Sequence, residues 1–161
     1  MARRRNRPTS DNAGSWFDQF AGFANEPSAG LRSNFDRLAA QRQWGKKLKH
    51  TRWVQCQTAE FGCLYGDGVD VSKLEKWQEL CREVHVKDPP SSITQCKKPQ
   101  VLGDRKMLVN LVNLIDHRLM GEKVIRFKSY KAFVEYTSNG RTFPREAAKE
   151  EGFIKALLRK L

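Results

Sequence analysis

A cationic stretch bounded by two tryptophans carries the side chains best suited to chemistry with an anion. Its basic residues follow Arg42 and lie between Trp44 and Trp53; they are Lys46, Lys47, Lys49, His50 and Arg52. Ammonium and guanidinium groups bind phosphate, and indole rings stack on unpaired bases. We therefore predict that these cations contact phosphates. Trp44 and Trp53 are candidate stacking rings, with a role as core anchors as the alternative.

A second group of cations lies near the N-terminus and consists of Arg3, Arg4, Arg5 and Arg7. They have no apolar neighbours at helical spacing, and Pro8 interrupts any early helix. We predict that residues 1–14 form a flexible arm and that residues 15–161 form one helical domain. Arginine forks bind phosphates, and arginine-rich arms can act as nuclear import signals. An inert, solvated tail is the alternative.

The overall charge of the chain points to the same kind of partner. Its 161 residues include 30 Lys and Arg against 18 Asp and Glu, which gives a formal net charge of +12. A chain of this length can bury one core without disulfides or metals, so a single domain is expected. Such a positive excess attracts polyanions, namely nucleic acids, anionic membranes and acidic proteins. A basic protein without a polyanionic partner is the remaining alternative.

Catalytic motifs are absent from the sequence. It contains no glycine-rich phosphate loop, no G-x-S-x-G and no H-E-x-x-H. Asp116 and His117 are neighbours in the chain, so on a helix their side chains point about 100° apart and cannot form a catalytic dyad. We predict a non-enzymatic protein without a cofactor.

The sequence has four cysteines and no C-x-x-C pair: Cys56, Cys63, Cys81 and Cys96. Buried free thiols behave as small hydrophobic groups, so we predict free cysteines in a reducing compartment and no metal. A zinc site with His50, His85 or His117 is the alternative. No secretory signal and no apolar run of about 20 residues is visible. We expect an intracellular protein outside the membrane, in the nucleus rather than the cytoplasm.

Periodicity places the cationic stretch at the start of a long helix. The segment from Gln43 to Gly66 begins basic and becomes apolar at Val54, from where apolar side chains surround most of the helix axis. Such a helix is usually central in a fold. We expect Gly66 to cap its C-terminus and Gly62 to mark a close crossing with another helix.

The charges at the start of this helix oppose its stability. Lysines in a first helical turn face the positive end of the macrodipole, which costs roughly a few tenths of a kcal/mol each. No acidic residue occurs from Arg37 to Ala59. We infer that the cations serve an external anion. The short joint at Trp44 and Gly45 also resembles a helix-turn-helix, a geometry that many helical hairpins share without binding DNA.

Amphipathic spacing predicts further helices and an all-α domain of six to eight short helices. The other predicted helices cover about residues 15–23, 28–43, 73–84, a short piece between Ser91 and Pro99, 105–120, 129–138 and the segment after Phe143. In the predicted helix at 28–43, one face carries Leu31, Phe35, Leu38 and Ala39. The predicted helix after Ser129 carries Tyr130, Phe133, Val134 and Thr137.

Short motifs follow one another along the chain in a recognisable order. They are Phe17-x-x-Phe20-x-x-Phe23, Asn25-x-Pro27, Phe35-x-Arg37-Leu38, Trp44, Leu64-Tyr65-Gly66, Trp77-x-x-Leu80-Cys81, Asn110-Leu111-Val112, Phe127-x-Ser129, Tyr136-Thr137 and Phe143-Pro144. In this order they resemble small uncharacterised all-helical proteins of filamentous fungi, over nearly everything after the arginine arm. The resemblance implies an all-helical single domain and supplies no activity, mechanism or catalytic residue.

These observations predict a nucleic-acid-binding protein whose arm and basic helix start contact the phosphates of DNA or RNA. The alternative is an adaptor that docks on an acidic protein partner, because the same charges serve both functions. Base specificity and oligomeric state stay open at this point.

Overall fold

Six α-helices and one 3-10 turn make up the described part of the chain. The computed structural model describes residues 14–66, 72–97 and 109–144, together with Ala147 and Ile154. The elements are the 3-10 turn Trp16–Gln19, α1 Leu31–Gln41, α2 Lys46–Tyr65, α3 Leu74–Glu83, α4 Ile93–Cys96, α5 Leu111–Met120 and α6 Tyr130–Ser138. These ranges contain helices and connecting loops without a strand, which confirms the predicted all-α class.

The second half of α2 lies at the centre of the fold. The whole of α2 packs against α1, α5 and the 3-10 turn, and in its second half Cys56, Phe61 and Tyr65 are at most 3% exposed. The Tyr65 hydroxyl donates a hydrogen bond to the Leu114 carbonyl at 2.9 Å. The prediction of a surrounded helix is therefore confirmed. Gly66 ends it as expected, because its N–H donates to the Gly62 carbonyl at 2.9 Å.

The predicted apolar face of α1 is confirmed. Leu31, Phe35, Leu38 and Ala39 are all at most 3% exposed. The helix is shorter than the predicted range 28–43 at both ends. At its start the Ala29 N–H donates to the Glu26 carbonyl at 3.0 Å, which closes a separate turn before the helix.

A carboxylate from α5 caps the start of α1. The N-cap residue of α1 is Gly30, which has no side chain to accept a hydrogen bond. Instead Oδ1 of Asp116 accepts from the Leu31 N–H at 2.7 Å. A methyl group added at Gly30 would lie 3.1 Å from Oδ2 of Asp116, so the glycine leaves room for the distant cap. A negative group at this end of a helix is also favoured by the macrodipole.

A second buried carboxylate ties the 3-10 turn to α2. Oε1 of Glu60 accepts from the Ser15 hydroxyl and from the Trp16 N–H, each at 2.6 Å. Burial raises the pKa of Glu60, and these two donors offset part of that effect. Ser15 caps the turn, as its oxygen accepts from the Phe17 N–H at 3.4 Å. Trp16 and Phe17 are buried, whereas Phe20 and Phe23 are only partly buried against the core.

Arg118 joins the ends of three helices. Its Nη2 lies 2.5 Å from Oε1 of Glu83 and 3.1 Å from Oε1 of Glu79, both on α3. Its Nη1 donates to the Leu64 carbonyl in the last turn of α2, and its guanidinium carbon lies 3.9 Å from the centre of the Tyr65 ring. Because a cation at a helix C-terminus is favourable, this network stabilises the end of α2.

Two local predictions are wrong. The helix predicted over 105–120 begins only at Leu111, because Oδ1 of Asn110 accepts from the Val112 N–H at 2.9 Å and caps the helix there. Residues 105–108 of that prediction lie outside the described ranges. Gly62 marks no close crossing, since a methyl group placed on it would meet nothing within 4 Å.

Gly62 therefore offers a stability test with a matched control. Gly62→Ala is expected to raise the free energy of unfolding by about 0.5–1 kcal/mol, because alanine loses less conformational entropy in a helix. Gly121→Ala is expected to lower it by about 1 kcal/mol, because Gly121 has a φ of +76° that alanine adopts only with strain. Urea denaturation of both variants measures the two changes. Equal destabilisation by both would contradict the open space at Gly62.

Asp116 should give the stability of the fold a specific pH dependence. Burial raises the pKa of Asp116 from 3.8 to about 6, the Leu31 N–H lowers it in part, and the nearby charges are Glu122 and Arg141. The folded chain then holds this proton more tightly than the unfolded chain does. Its contribution to stability is present at low pH and is lost as pH rises from about 4 to about 6.

Asp116→Asn keeps an oxygen that can accept from the Leu31 N–H and removes the titration. Relative to the unsubstituted protein, the free energy of unfolding of this variant is expected to rise by about 1–3 kcal/mol between about pH 4 and pH 7. Denaturation curves at several pH values measure this difference. A difference that stays constant across that pH range would contradict the account of Asp116.

Candidate nucleic-acid interface

A tight turn between α1 and α2 positions the cationic stretch. After α1, Gln43 adopts a left-handed φ of 52°, and the Trp44 N–H donates to the Ala39 carbonyl at 3.0 Å. Gly45 then takes an extended conformation as the N-cap of α2. The short joint expected at Trp44 and Gly45 is present, and α2 begins directly after it with Lys46 and Lys47.

Three basic side chains at the start of α2 are exposed to solvent. Lys46, Lys47 and His50 are exposed, and within the described ranges no acidic side chain lies in ion-pair distance of Lys46 or Lys47. Gly45 supplies no side-chain cap, and the first turn contains no acidic residue. The free N–H groups at the start of α2 and the ammonium groups of Lys46 and Lys47 therefore form one positive region.

Lys49, by contrast, is half-buried and forms an ion pair within the fold. Its Nζ lies 2.8 Å from Oδ1 of Asp36 on α1, and Nε of Arg32 lies 2.8 Å from Oδ2 of the same carboxylate. Burial alone would raise the pKa of Asp36, but the hydrogen bonds and charges of Arg32 and Lys49 outweigh it and lower this pKa. Lys49 therefore has a structural partner, which Lys46 and Lys47 lack among the described residues.

The two arginines of the predicted set also have internal contacts. Nη2 of Arg42 donates to the Ala21 carbonyl at 2.5 Å. Nη1 of Arg52 donates to Oε1 of Gln55 at 3.2 Å, and its guanidinium carbon lies 6.0 Å from the centre of the Trp44 ring. Both arginines keep further N–H groups for an external acceptor, since a guanidinium carries five.

The two candidate stacking rings lie in different environments. Trp53 is 5% exposed; its ring centre is 4.8 Å from that of Phe35, and the Arg32 guanidinium covers it at 4.9 Å. The stacking role considered for Trp53 does not fit this burial, and Trp53 is a core anchor. Trp44 is half-buried and contacts Phe20 at 5.5 Å between ring centres, so only part of its surface can meet a ligand.

A groove opens beside Arg52 along the polar side of α2. Its volume is about 570 Å³, and its lining combines the apolar Trp16, Val54, Ala59 and Ala147 with the polar Gln19, Arg52, Gln55 and Thr58. These polar side chains offer both donors and acceptors. Sequence reasoning missed the groove because it exists only where the 3-10 turn packs against α2. The sequence signal for the groove was the pair of polar residues Gln55 and Thr58, whose spacing places them on one side of α2.

The remaining predicted site residues are those of the arm. Arg3, Arg4, Arg5 and Arg7 lie outside the described ranges, so their role as phosphate contacts stays a prediction. The same holds for the arm prediction over residues 1–14, of which only Gly14 is described.

Among the cysteines and histidines of the described chain, Cys81 and Cys96 lie close enough for their thiols to interact. Cys56, Cys63, Cys81 and Cys96 are free, and burial raises the pKa of the Cys81 thiol to about 12, which keeps it protonated and unreactive at neutral pH. In the ranges described here, no three His, Cys, Asp or Glu side chains are placed to hold a metal ion. Over the same ranges, no helix has the length and apolarity that a membrane crossing requires.

Comparison with known proteins adds no constraint, since no family model, curated protein or solved structure matches the chain. The resemblance to small helical proteins of filamentous fungi therefore stays a prediction.

The placement of the tryptophans can be tested by fluorescence quenching. All four tryptophans of the sequence are described, and Trp16, Trp53 and Trp77 are at most 8% exposed. Trp44→Phe should therefore remove most of the emission that acrylamide quenches, whereas Trp53→Phe should leave it nearly unchanged. The opposite pattern would contradict the burial of Trp53.

Proposed function

We propose that the chain is a non-enzymatic, sequence-tolerant nucleic-acid-binding protein that contacts phosphates through the first turns of α2. Lys46, Lys47 and His50 provide the primary contacts, and Arg42 and Arg52 lie on either side of them in the sequence. The arginine arm adds phosphate contacts from outside the described ranges. Backbone contacts of this kind carry little base preference.

The observation that carries this proposal is the position of Lys46 and Lys47. Both occupy the first turn of a 20-residue helix that has no acidic residue in that turn, and within the described ranges neither is paired with a carboxylate. Their charges oppose the macrodipole and add to a net charge of +12. An arrangement that weakens the helix is explained if a phosphate occupies the positive region.

Lys49 supports the proposal by contrast. Its ion pair with Asp36 links α1 and α2 at 2.8 Å, so its charge is accounted for within the fold. The same argument does not apply to Lys46 and Lys47. The groove next to Arg52 lies farther along the same helix, where the amides of Gln19 and Gln55 can hydrogen-bond to a sugar or base.

A second candidate function is docking on an acidic protein, and Leu48 favours it. Leu48 is 46% exposed and lies between two lysines in the sequence. An exposed aliphatic side chain with basic neighbours can anchor an acidic, partly apolar partner. Leu48→Ser separates the two functions. It should leave phosphate contacts intact and weaken only a protein contact.

A nuclear location accords with nucleic-acid binding, and the arginine arm is the candidate import signal. Deletion of residues 2–7 from a fluorescent fusion is the corresponding check. We expect the deletion to lower the nuclear fraction, and an unchanged distribution would remove the arm from this role.

Charge reversal at the start of α2 separates function from stability. Lys46→Glu/Lys47→Glu is expected to raise the free energy of unfolding by about 1 kcal/mol, because acidic groups favour this end of a helix. The same variant should bind nucleic acid more weakly. The slope of log K against log salt should become shallower by about 1.4–1.8, which corresponds to two lost phosphate contacts. Fluorescence anisotropy between about 50 and 200 mM salt measures the affinity and the slope of its salt dependence.

The matched control is Arg82→Glu/Lys87→Glu, which changes the net charge equally at two exposed positions away from α2. It should reduce affinity much less. Equal losses in the two double variants would show that only net charge matters. Absence of binding by the unsubstituted protein even at low salt would overturn the proposed function.

A further inference from the structure

The start of α6 holds an aromatic ring in solvent. Tyr130 is 64% exposed, whereas every other tyrosine, tryptophan and phenylalanine in the described ranges is buried or half-buried. The sequence predicts a helix that carries Tyr130, Phe133, Val134 and Thr137. The structure buries Phe133 at 3% exposure and leaves Val134 39% exposed.

Packing inside α6 explains why the ring faces outward. Phe127 in the preceding connector lies 5.5 Å from Phe133 and 5.1 Å from Tyr136 between ring centres, so these three rings cover the inner side of the helix. The Ser129 oxygen accepts from the Ala132 N–H at 3.2 Å and fixes the start of α6. Tyr130 is therefore the first residue of a capped helix, and its ring stays in water.

Cations flank this ring along the chain. From Lys123 to Val134 the sequence contains four basic residues and no acidic one. All four are exposed: Lys123, Arg126, Lys128 and Lys131. Lys128 and Lys131 stand two residues before and one residue after Tyr130, and the nearest acidic residue along α6 is the exposed Glu135 in its second turn.

An exposed ring between cations has a specific physical use. A base that is not paired offers a π-face on which a tyrosine ring can stack, while its phosphates meet the neighbouring ammonium groups. Bases in a duplex are already stacked on one another and offer no such face at the helix surface. The charge of this segment is complementary to a phosphate backbone, and an exposed aromatic ring favours strands with free bases.

We propose that Tyr130, Lys128 and Lys131 form a binding surface for single-stranded nucleic acid, with Arg126 and Lys123 along the path of the backbone. This proposal rests on the proposed function and narrows it from nucleic acid in general to single strands. It is independent of the groove beside Arg52, because no residue is shared between the two. The start of α2 supplies affinity for both single-stranded and double-stranded nucleic acid, and Tyr130 supplies the preference for unpaired bases.

The test compares an oligothymidylate of roughly 20 nucleotides with a duplex of the same length, in anisotropy titrations with the full chain. Tyr130→Ala is expected to weaken binding of the single strand by about 5- to 100-fold and to leave duplex binding within about twofold. Tyr130→Phe keeps a stacking ring and should bind both ligands like the unsubstituted protein. Lys128→Ala/Lys131→Ala should weaken the binding of both ligands and make the salt dependence of the affinity shallower.

The possible failures are distinguishable. If the unsubstituted protein binds neither ligand at low salt, the proposed function fails and this proposal fails with it. If the unsubstituted protein binds both ligands, and Tyr130→Ala changes the affinities for the single strand and the duplex equally or not at all, only this proposal is overturned. The proposal would also be overturned if Tyr130→Ala kept its binding to the single strand and lost binding only to anionic phospholipid vesicles or to an acidic polypeptide. Circular dichroism of each variant confirms that it is folded, which is expected because Tyr130 is exposed.

Discussion

One continuous helix has to serve both the core and the surface of this protein. The 20 residues of α2 span about 30 Å, and the hydrogen-bonded backbone makes its two halves a single rigid element. Burial of Cys56, Phe61 and Tyr65 fixes the second half, and Trp53 packs against Phe35 of α1. The position of Lys46 and Lys47 follows from that packing. The backbone at Lys46 and Lys47 is therefore fixed before binding, so that only their side chains lose entropy when they contact a phosphate.

Two buried carboxylates hold the elements around α2. Asp116 accepts from the Leu31 N–H at the start of α1, and Glu60 accepts from the Trp16 N–H at the start of the 3-10 turn. Each places a negative group where backbone N–H groups would otherwise lack partners. Burial disfavours their charged forms and raises the pKa of both groups. The fold thus accepts an electrostatic penalty at two places in order to fix the neighbours of its central helix.

The sequence predicted those parts of the fold that depend on local periodicity. The apolar face of α1 and the end of α2 at Gly66 could be found because helical spacing and glycine caps act within a few residues. The cap of α1 by Asp116 could not, since it joins residues 85 positions apart. The exposure of Tyr130 was missed for a related reason. Periodicity identifies an apolar side of a helix, but only tertiary packing decides how much of that side is covered.

The central claim is that the start of α2 binds a phosphate backbone while the rest of α2 serves the core. Backbone amide NMR during titration with an oligonucleotide tests it most directly. The account predicts the largest chemical shift changes at Lys46, Lys47 and His50, with small changes from Cys56 to Tyr65. Changes confined to other surfaces, with the amides of Lys46 and Lys47 unmoved at saturation, would contradict it.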